Sequence, residues 1–341
     1  MKKLCRQVSI ESPGAVVKDC VFSFTVPVPD TPIGGVRVRV VCAGACYVSR
    51  RSLSSCDDSV SLAHPGVRDS ALFAGFEVAG VVTDVAEGVE KAPSIGERCC
   101  IYPFAGCPRG YAEFVAVPDP AYVVPIPATI PLSLAAMLPS GGLRAFNTIT
   151  IAQRHHKAAK VLVVGTGGLA LWTVRVAKCI APELTLTVAS LRDEGLQLAA
   201  SSGVTVVQWD EDLYERYLIE RTVDACEGEV DVVIDYGTTS RSLHRSLQCL
   251  AAGGMVLLSD EVAERLIPKF SAKAREKQQS IEAVEIGSVE QLRHLVDLVA
   301  TERLKPPPHT VFSIDEASEV VSRLSNSDIP GRAILRFHDV D

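Results

Sequence analysis

The chain has 341 residues, about twice a typical domain length, which predicts two domains or one domain with a large insertion. Hydrophobic residues make up 47% of the sequence and charged residues 22%, as in average globular proteins, which excludes disorder, collagen and a coiled coil. The 34 Lys and Arg against 41 Asp and Glu give a net charge of −7 without long charged blocks, so we expect no nucleic acid partner.

The sequence predicts a cytoplasmic protein that does not contact membranes. Residues 1–10 carry frequent charges and lack the apolar core of a secretory signal, and no segment approaches the roughly 20 apolar residues of a membrane span. Eleven cysteines, an odd number without a repeating spacing, favour free thiols in a reducing compartment over a disulfide scaffold.

The first 130 residues are predicted to be mainly β structure, because short β-branched runs are bounded there by Gly and Pro. The predicted strands cover residues 21–26, 36–41, 77–86, 97–102 and 111–117. Residues 49–70 are polar and aperiodic, which predicts a long loop.

From residue 132 the pattern changes to helix, and from residue 160 strands and helices alternate. Strands are predicted at 161–164, 184–189, 230–235 and 254–258, and helices at 168–179, 194–201 and 240–250. Right-handed crossovers between such elements build a parallel, doubly wound sheet. The tail is predicted to contain a helix at 289–301, a strand at 310–313, a helix at 315–325 and a strand at 332–337.

A glycine-rich turn joins the buried strand 161–164 to the helix that follows it. Gly165 allows the tight turn, Gly167 lets a pyrophosphate approach the backbone, and the helix N-terminus offers free N–H groups. Ala170 stands where a third Gly or Ala packs the helix closely against the strand. This arrangement predicts a dinucleotide-binding site. The alternative is a turn of the same shape in a domain that binds no nucleotide.

The residues after the second strand of this region indicate which dinucleotide binds. A carboxylate about 20 residues past the glycine turn would accept the ribose 2′-OH of NAD. Here Ser190 removes the charge that would repel a 2′-phosphate, and Arg192 offers a charged partner for one. NADP is therefore the predicted cofactor, with NAD as the alternative if Arg192 is only a solvated residue and Asp193 caps the next helix near the ribose.

Several motifs together resemble the medium-chain dehydrogenase/reductase superfamily over about residues 20–337. They lie at residues 42–46, 75–80, 110–114, 138–146 and 331–335, in addition to the glycine turn. The resemblance implies an α/β protein in which a GroES-like, mainly β catalytic domain is interrupted by a Rossmann domain with a doubly wound parallel sheet. The implied domains are 1–142 (catalytic), 143–285 (dinucleotide-binding) and 286–341 (return to the catalytic domain), with the active site in the cleft between them and a homodimer as the assembly.

The predicted cofactor-binding residues lie in the glycine turn, after the neighbouring strands and, for Arg332, at the start of the last predicted strand. They are Gly165, Thr166, Gly167, Gly168, Leu169, Ala170, Ser190, Arg192, Gly237 and Arg332.

Zinc enzymes of this superfamily hold their catalytic metal at positions that match Cys46, Phe76 and Ser140 here. A catalytic zinc needs three protein ligands, and only Cys46 of these three residues can serve. The structural zinc lobe of those enzymes would need four closely spaced cysteines, whereas this chain has Cys99, Cys100 and Cys107 in that interval. The sequence therefore predicts no zinc.

Without zinc, hydride transfer needs another group to polarise the substrate and donate a proton. Tyr47 is the predicted catalytic residue, because its hydroxyl can bind a carbonyl oxygen and donate a proton to it. Cys46 and Ser49 are further candidates, and Val48 replaces the Ser or Thr proton relay of the zinc enzymes. The alternative for Tyr47 is an amphipathic residue with its ring in the β core, and Cys46 is equally well explained as an inert buried thiol.

Three functions fit these observations. The first is a zinc-independent, NAD(P)H-dependent oxidoreductase that acts on a small carbonyl, activated alkene or quinone substrate. The second is a catalytically silent relative that keeps the nucleotide for a regulatory or structural role. The third is a zinc alcohol dehydrogenase in which Cys46 recruits His64 or Glu77 as replacement ligands.

Overall fold

The structure is a computed structural model, and it describes residues 3–10, 21–45, 77–89, 93–104, 111–155, 159–237, 239–325 and 328–338. The chain divides into two compact units. The first comprises Met1–Ser140, Ser288–Glu302 and Pro308–Asp341, and the second comprises Gly141–Gly287 and Arg303–Pro307. Within the described ranges, no helix is long and apolar enough to cross a membrane.

The strands and helices follow one another in the order given by their numbers. The strands are β1 Leu4–Ile10, β2 Val21–Pro27, β3 Val36–Ala45, β4 Val78–Val85, β5 Arg98–Ile101, β6 Tyr111–Ala112, β7 Phe114–Val117, β8 Val123–Pro125, β9 Lys160–Val164, β10 Thr185–Ser190, β11 Thr205–Gln208, β12 Val230–Asp235, β13 Leu250–Ser259, β14 Ser280–Val284, β15 His309–Ser313 and β16 Arg332–Arg336. The helices are α1 Leu132–Ala135, α2 Leu143–His155, α3 Gly168–Ile180, α4 Asp193–Ala200, α5 Glu215–Ala225, α6 Ser240–Cys249, α7 Asp260–Glu276, α8 Val289–Ala300 and α9 Ala317–Ser325.

The first unit is built on two sheets. One has the strand order β2-β1-β6, and the other has the order β15-β16-β3-β4-β5-β8 with β7 paired to β3. All of these pairs are antiparallel except β15 with β16. The core of this unit takes buried residues from most of its strands, and in β3 they include the alternating valines Val36, Val38 and Val40. This half-buried alternation is the pattern that predicted mainly β structure.

The strand predicted at 111–117 is instead two strands, because the chain passes from one sheet to the other at Glu113. The Glu113 N–H donates to the Arg6 carbonyl of β1 at 2.9 Å, and the Glu113 carbonyl accepts from the Val40 N–H of β3 at 2.8 Å. Both backbone groups of one residue are thereby satisfied in different sheets.

The second unit is a six-stranded sheet in which every pair is parallel. Its order is β11-β10-β9-β12-β13-β14, so the chain winds outward in one direction from β9 and then in the other from β12. This is the doubly wound dinucleotide-binding topology, whose ligand lies outside the carboxyl ends of the strands where the order reverses. The predicted α/β fold class is confirmed.

Most elements of the second unit lie within one or two residues of their predicted bounds, with two kinds of exception. β13 begins at Leu250, four residues before its predicted start. No element was predicted for β11, α5, α7 or β14. In the first unit β1 was also missed, and the helix predicted at 315–325 starts with a 3-10 turn at Ile314–Glu316.

Candidate functional site

The glycine turn lies where the strand order of the parallel sheet reverses, between β9 and α3. Gly165 has φ of +109°, a backbone conformation that residues with a Cβ rarely adopt. Its N–H donates to the Ala189 carbonyl of β10 at 2.8 Å, which ties the turn to the neighbouring strand. Glycine is therefore required at residue 165 for the chain to leave the strand in this direction.

The N-terminus of α3 is open to a ligand. Gly167 is the N-cap residue, and among the described residues no side chain caps this helix end. A Cβ added at Gly167 would meet no atom within 4 Å, so the space beside it is open. Uncapped N–H groups and the positive end of the helix dipole bind anions. The turn thus fits the pyrophosphate of a dinucleotide.

The residues around the turn are held by close packing. Ala170 is buried in the first turn of α3, as the motif requires of its third small residue. Gly195 of α4 faces Thr166, and a Cβ at residue 195 would overlap the Thr166 side chain. Glycine at position 195 lets α4 approach the turn and brings Ser190 and Arg192 close to it.

Ser190, the last residue of β10, contributes to the site through internal hydrogen bonds. Its hydroxyl lies 2.9 Å from the Thr166 Oγ1 and accepts from the Arg192 N–H at 3.1 Å. Its side chain is buried, and it links the glycine turn to the residue predicted to read the 2′-phosphate. Ser190 therefore fixes the backbone of Arg192.

Arg192 occupies the N-cap position of α4, and its residue is exposed. Asp193 is the first residue of that helix, and its carboxylate accepts from the Gln197 side chain at 3.0 Å. The alternative in which Asp193 caps α4 is wrong on this point, because the cap position belongs to Arg192.

The carboxyl end of β12 carries a buried carboxylate that shapes the opposite side of the turn. Asp235 accepts from the Ser242 hydroxyl at 2.6 Å, the Ser246 hydroxyl at 2.9 Å and the Gly237 N–H at 2.7 Å. Burial raises the pKa of Asp235, and these three hydrogen bonds oppose that change. Asp235 thereby holds the backbone at Gly237 against the start of α6.

A cavity of about 350 Å³ joins these pieces. It brings together six of the predicted cofactor-binding residues, which are Gly165, Thr166, Gly167, Ser190, Arg192 and Gly237. Gly168, Leu169 and Ala170 form the first turn of α3. Arg332 lies in β16 of the first unit, where its guanidinium forms a buried ion pair with Glu77. The role of Arg332 in binding the cofactor stays a prediction.

Further residues that were not predicted also line the cavity, among them Trp209, Glu211, Arg241 and Arg245. Arg245 is almost completely buried, its guanidinium lies 4.9 Å from the centre of the Trp209 ring, and it donates to both Glu215 oxygens at 2.6 and 2.9 Å. Arg241 also donates from its Nε to Glu215.

Glu215 is therefore shared between two guanidiniums. The hydrogen bond from Arg245 is the main cause that lowers the pKa of Glu215 to about 2, and Arg241 adds to it. Glu215 stays ionised at every physiological pH and fixes both arginines beside the cavity.

The predicted catalytic and metal-binding positions are only partly described. Cys46, Tyr47, Ser49 and Phe76 lie outside the described residues, as does the loop predicted at 49–70. Ser140 lies in the helical turn Leu138–Gly142. Within the described part of the chain, no group of three or more His, Cys, Asp or Glu side chains could hold a metal ion.

The described cysteines carry free thiols, and most of them are buried. Burial raises the pKa of Cys99 to about 12 and that of Cys42 to about 11, and it raises the pKa of Cys100 as well. A thiol with a raised pKa is a poor nucleophile and a poor metal ligand. Cys42, Cys99 and Cys100 are therefore buried core residues of β3 and β5.

Known proteins that resemble this chain include NAD- and NADP-dependent dehydrogenases. The zinc-binding dehydrogenase family matches residues 214–335 of this chain. An NAD-dependent alcohol dehydrogenase of Sulfolobus acidocaldarius is 24% identical over 336 residues, covering 91% of this chain and 94% of the relative. NADP-dependent alcohol dehydrogenase C 1 of Mycolicibacterium smegmatis is 24% identical over 309 residues, covering 79% and 83%.

Solved structures with the same fold include alcohol dehydrogenases and a quinone oxidoreductase. A thermostable alcohol dehydrogenase from Pyrobaculum aerophilum has a TM-score of 0.79 at 21% identity, covering 98% of this chain and 100% of its own. The quinone oxidoreductase from Coxiella burnetii has a TM-score of 0.79 at 19% identity, with the same coverage.

The matched family and the two alcohol dehydrogenase relatives support an oxidoreductase of the alcohol dehydrogenase type. The partial family match and the relatives at 24% identity support the resemblance to the medium-chain dehydrogenase/reductase superfamily that the sequence motifs indicated.

Proposed function

We propose that the protein is a zinc-independent, NADP(H)-dependent reductase of a small carbonyl, activated alkene or quinone substrate. The observation that carries the proposal is the cavity of about 350 Å³ in which an open glycine turn and several arginines meet. Relatives with the same fold are named as NAD- and NADP-dependent alcohol dehydrogenases and as a quinone oxidoreductase.

The residues present fit a dinucleotide. The open space beside Gly167 and the uncapped N-terminus of α3 would hold the pyrophosphate, and the carboxyl ends of β10 and β12 would flank the adenosine. A bound nicotinamide cofactor supplies the hydride. The task of the protein is to bind the cofactor, orient it and exclude water around it.

The charge at the end of β10 favours NADP over NAD. Ser190 is neutral and buried, and it binds Thr166 and the Arg192 backbone, so no carboxylate from this position repels a phosphate. Arg192 is exposed beside the cavity. A guanidinium binds phosphate through charge-assisted hydrogen bonds in a fork geometry.

We expect Arg192→Ala to weaken NADPH binding by about 1.5 to 3 kcal/mol, the usual value of a charge-assisted hydrogen bond, and to leave NADH binding nearly unchanged. Ser190→Asp should move the preference toward NADH, because its carboxylate would repel the 2′-phosphate and accept from a ribose hydroxyl. Fluorescence titration with both cofactors measures the two changes. Equal loss of NADPH and NADH in Arg192→Ala would contradict the assignment.

Zinc independence rests on the three positions that hold the catalytic metal in the zinc enzymes. Phe76 and Ser140 offer a ring and a neutral hydroxyl where an imidazole and a thiolate are needed. We therefore expect purified protein to contain well under one zinc per chain. Elemental analysis after dialysis tests this, and zinc at one per chain would favour a zinc dehydrogenase in which Cys46 recruits His64 or Glu77 as a further ligand.

Several parts of the proposal remain predictions from the sequence. Tyr47 is proposed as the proton donor to the substrate, with Cys46 and Ser49 beside it. Residues 143–285 are proposed as the dinucleotide-binding domain, and the rest of the chain as the catalytic domain. A homodimer and a cytoplasmic location complete the proposal.

A second candidate function is a silent relative that binds a nucleotide without turnover. Three substitutions favour it, because Phe76 and Ser140 replace two metal ligands of the zinc enzymes and Val48 replaces their Ser or Thr proton relay.

The two functions differ in turnover. An active reductase consumes NADPH when a carbonyl, enone or quinone is supplied, and the change in nicotinamide absorbance reports it. A silent relative binds NADPH and leaves it unchanged with every acceptor in such a panel.

A further inference from the structure

The cavity holds more charge than the end of β10 alone supplies. Arg241 and Arg245 from α6 face it together with Glu211, which follows β11. Glu215 neutralises only one of the two α6 arginines, and Arg192 adds a further positive charge. Of the charged residues that line the cavity, three are arginines and one, Glu211, is a carboxylate, and this favours an anionic ligand group.

The two α6 arginines differ in how firmly they are held. Arg245 is 3% exposed, donates twice to Glu215 and packs on Trp209, so all its strong contacts are internal. Arg241 is 47% exposed, and Glu215 binds only its Nε. The Arg241 Nη1 lies 3.9 Å from Glu211, whose side chain is 63% exposed. An ion pair this long and this exposed contributes little, because solvent screens it.

We propose that Arg241 and Glu211 form a second pair of residues that select the cofactor, with Arg241 binding the 2′-phosphate and Glu211 opposing it. The inference rests on the proposed binding of a dinucleotide in this cavity. Glu215 holds the Nε of Arg241 and thereby orients the outer nitrogens of the guanidinium. The phosphate replaces Glu211 as the partner of Nη1, since a dianion in charge-assisted contact binds more strongly than a solvated carboxylate at 3.9 Å.

Glu211 then has a defined effect of its own. Its carboxylate faces the same cavity as Arg192 and Arg241, so it raises the energy of a nearby phosphate by like-charge repulsion. It discriminates against the 2′-phosphate and does not affect a ribose that lacks one. The affinity for NADP is accordingly a balance between Arg192 and Arg241 on one side and Glu211 on the other.

The test uses the full chain and measures binding. NADPH and NADH are titrated by nicotinamide fluorescence, and adenosine 2′,5′-bisphosphate and AMP are titrated by calorimetry. Arg241→Gln should weaken NADPH and the bisphosphate about tenfold and leave NADH and AMP within about twofold, the lower end for one charge-assisted contact. Glu211→Gln should strengthen the two 2′-phosphate ligands about threefold and leave the other two ligands unchanged.

Two further variants make the result specific. Arg216→Gln removes an exposed arginine of α5 that pairs with Glu220, and it should change none of the four affinities. Arg241→Lys keeps the charge and should recover part of the lost NADPH affinity. Thermal unfolding of each variant shows that the fold is intact.

The inference is wrong if Arg241→Gln weakens NADPH and NADH equally, if it weakens neither, or if Arg241→Lys is as weak as Arg241→Gln. It is also wrong if Glu211→Gln weakens NADH, because Glu211 would then be an acceptor for the ribose of NAD. Wild-type protein that binds no dinucleotide contradicts the proposed function itself, which separates the two failures.

Discussion

Replacing Gly167 with valine is expected to abolish measurable dinucleotide binding in a protein that still folds. Gly167 has φ of −67°, which any residue adopts, and its Cβ would meet no protein atom within 4 Å. The valine therefore fits the folded chain but fills the space that the pyrophosphate needs. Titration with NADPH measures the loss, and thermal unfolding shows whether the fold is retained.

Gly195, which faces Thr166 of the same turn from α4, is expected to differ from Gly167 in its effect on stability. Gly195→Ala would place a Cβ onto the Thr166 side chain, so we expect it to lower the unfolding temperature as well as the affinity. Normal NADPH affinity in folded Gly167→Val would remove the glycine turn from the site.

Asp235→Ala is expected to destabilise the protein by about 3 kcal/mol, because it leaves buried donors without an acceptor. The Ser242 hydroxyl, the Ser246 hydroxyl and the Gly237 N–H all donate to this carboxylate. Chemical denaturation followed by circular dichroism measures the free energy of unfolding.

The matched control for this variant is Asp224→Ala, which removes an exposed carboxylate from α5. It should change the free energy of unfolding by less than about 0.5 kcal/mol. A loss in Asp235→Ala no larger than in the control would show that the hydrogen bonds at the end of β12 contribute no net stability.

The elements that the sequence predicted well have strong local signals. β9 and β12 are almost entirely buried and rich in β-branched residues, and a glycine follows each of them within two residues. β11 is a short edge strand with one buried residue, and α5 has only Leu218 and Thr222 buried, so neither has a clear period. α7 contains Pro268 in its interior, a residue that usually ends a helix.

Some residues of the candidate site could likewise be predicted from the sequence, and others could not. Ser190 and Arg192 could be found because the spacing from the glycine turn to the end of the second strand is fixed by one βαβ unit. Arg241 and Arg245 meet Glu215 from 26 and 30 residues away, and only the packing of α5 beside α6 brings them together. No spacing rule in a single sequence predicts such a contact. In addition, α5 was not predicted from the sequence, so Glu215 had no predicted position beside α6.

The roles of Ser190 and Arg192 in cofactor selection depend on side-chain contacts that the sequence does not specify. From the sequence, Ser190 was expected to act by the absence of charge, but the structure shows that its hydroxyl joins Thr166 to the Arg192 backbone. Whether a serine hydroxyl faces a ligand or its own backbone depends on the rotamer and on neighbouring groups, which a sequence pattern does not specify.

Titration of the unmodified protein with NADPH and with NADH, followed by nicotinamide fluorescence, tests whether the cavity beside the glycine turn binds a nicotinamide cofactor. We expect saturable binding of both cofactors, with NADPH the tighter of the two. Absence of binding by either cofactor at millimolar concentration would contradict the proposed function.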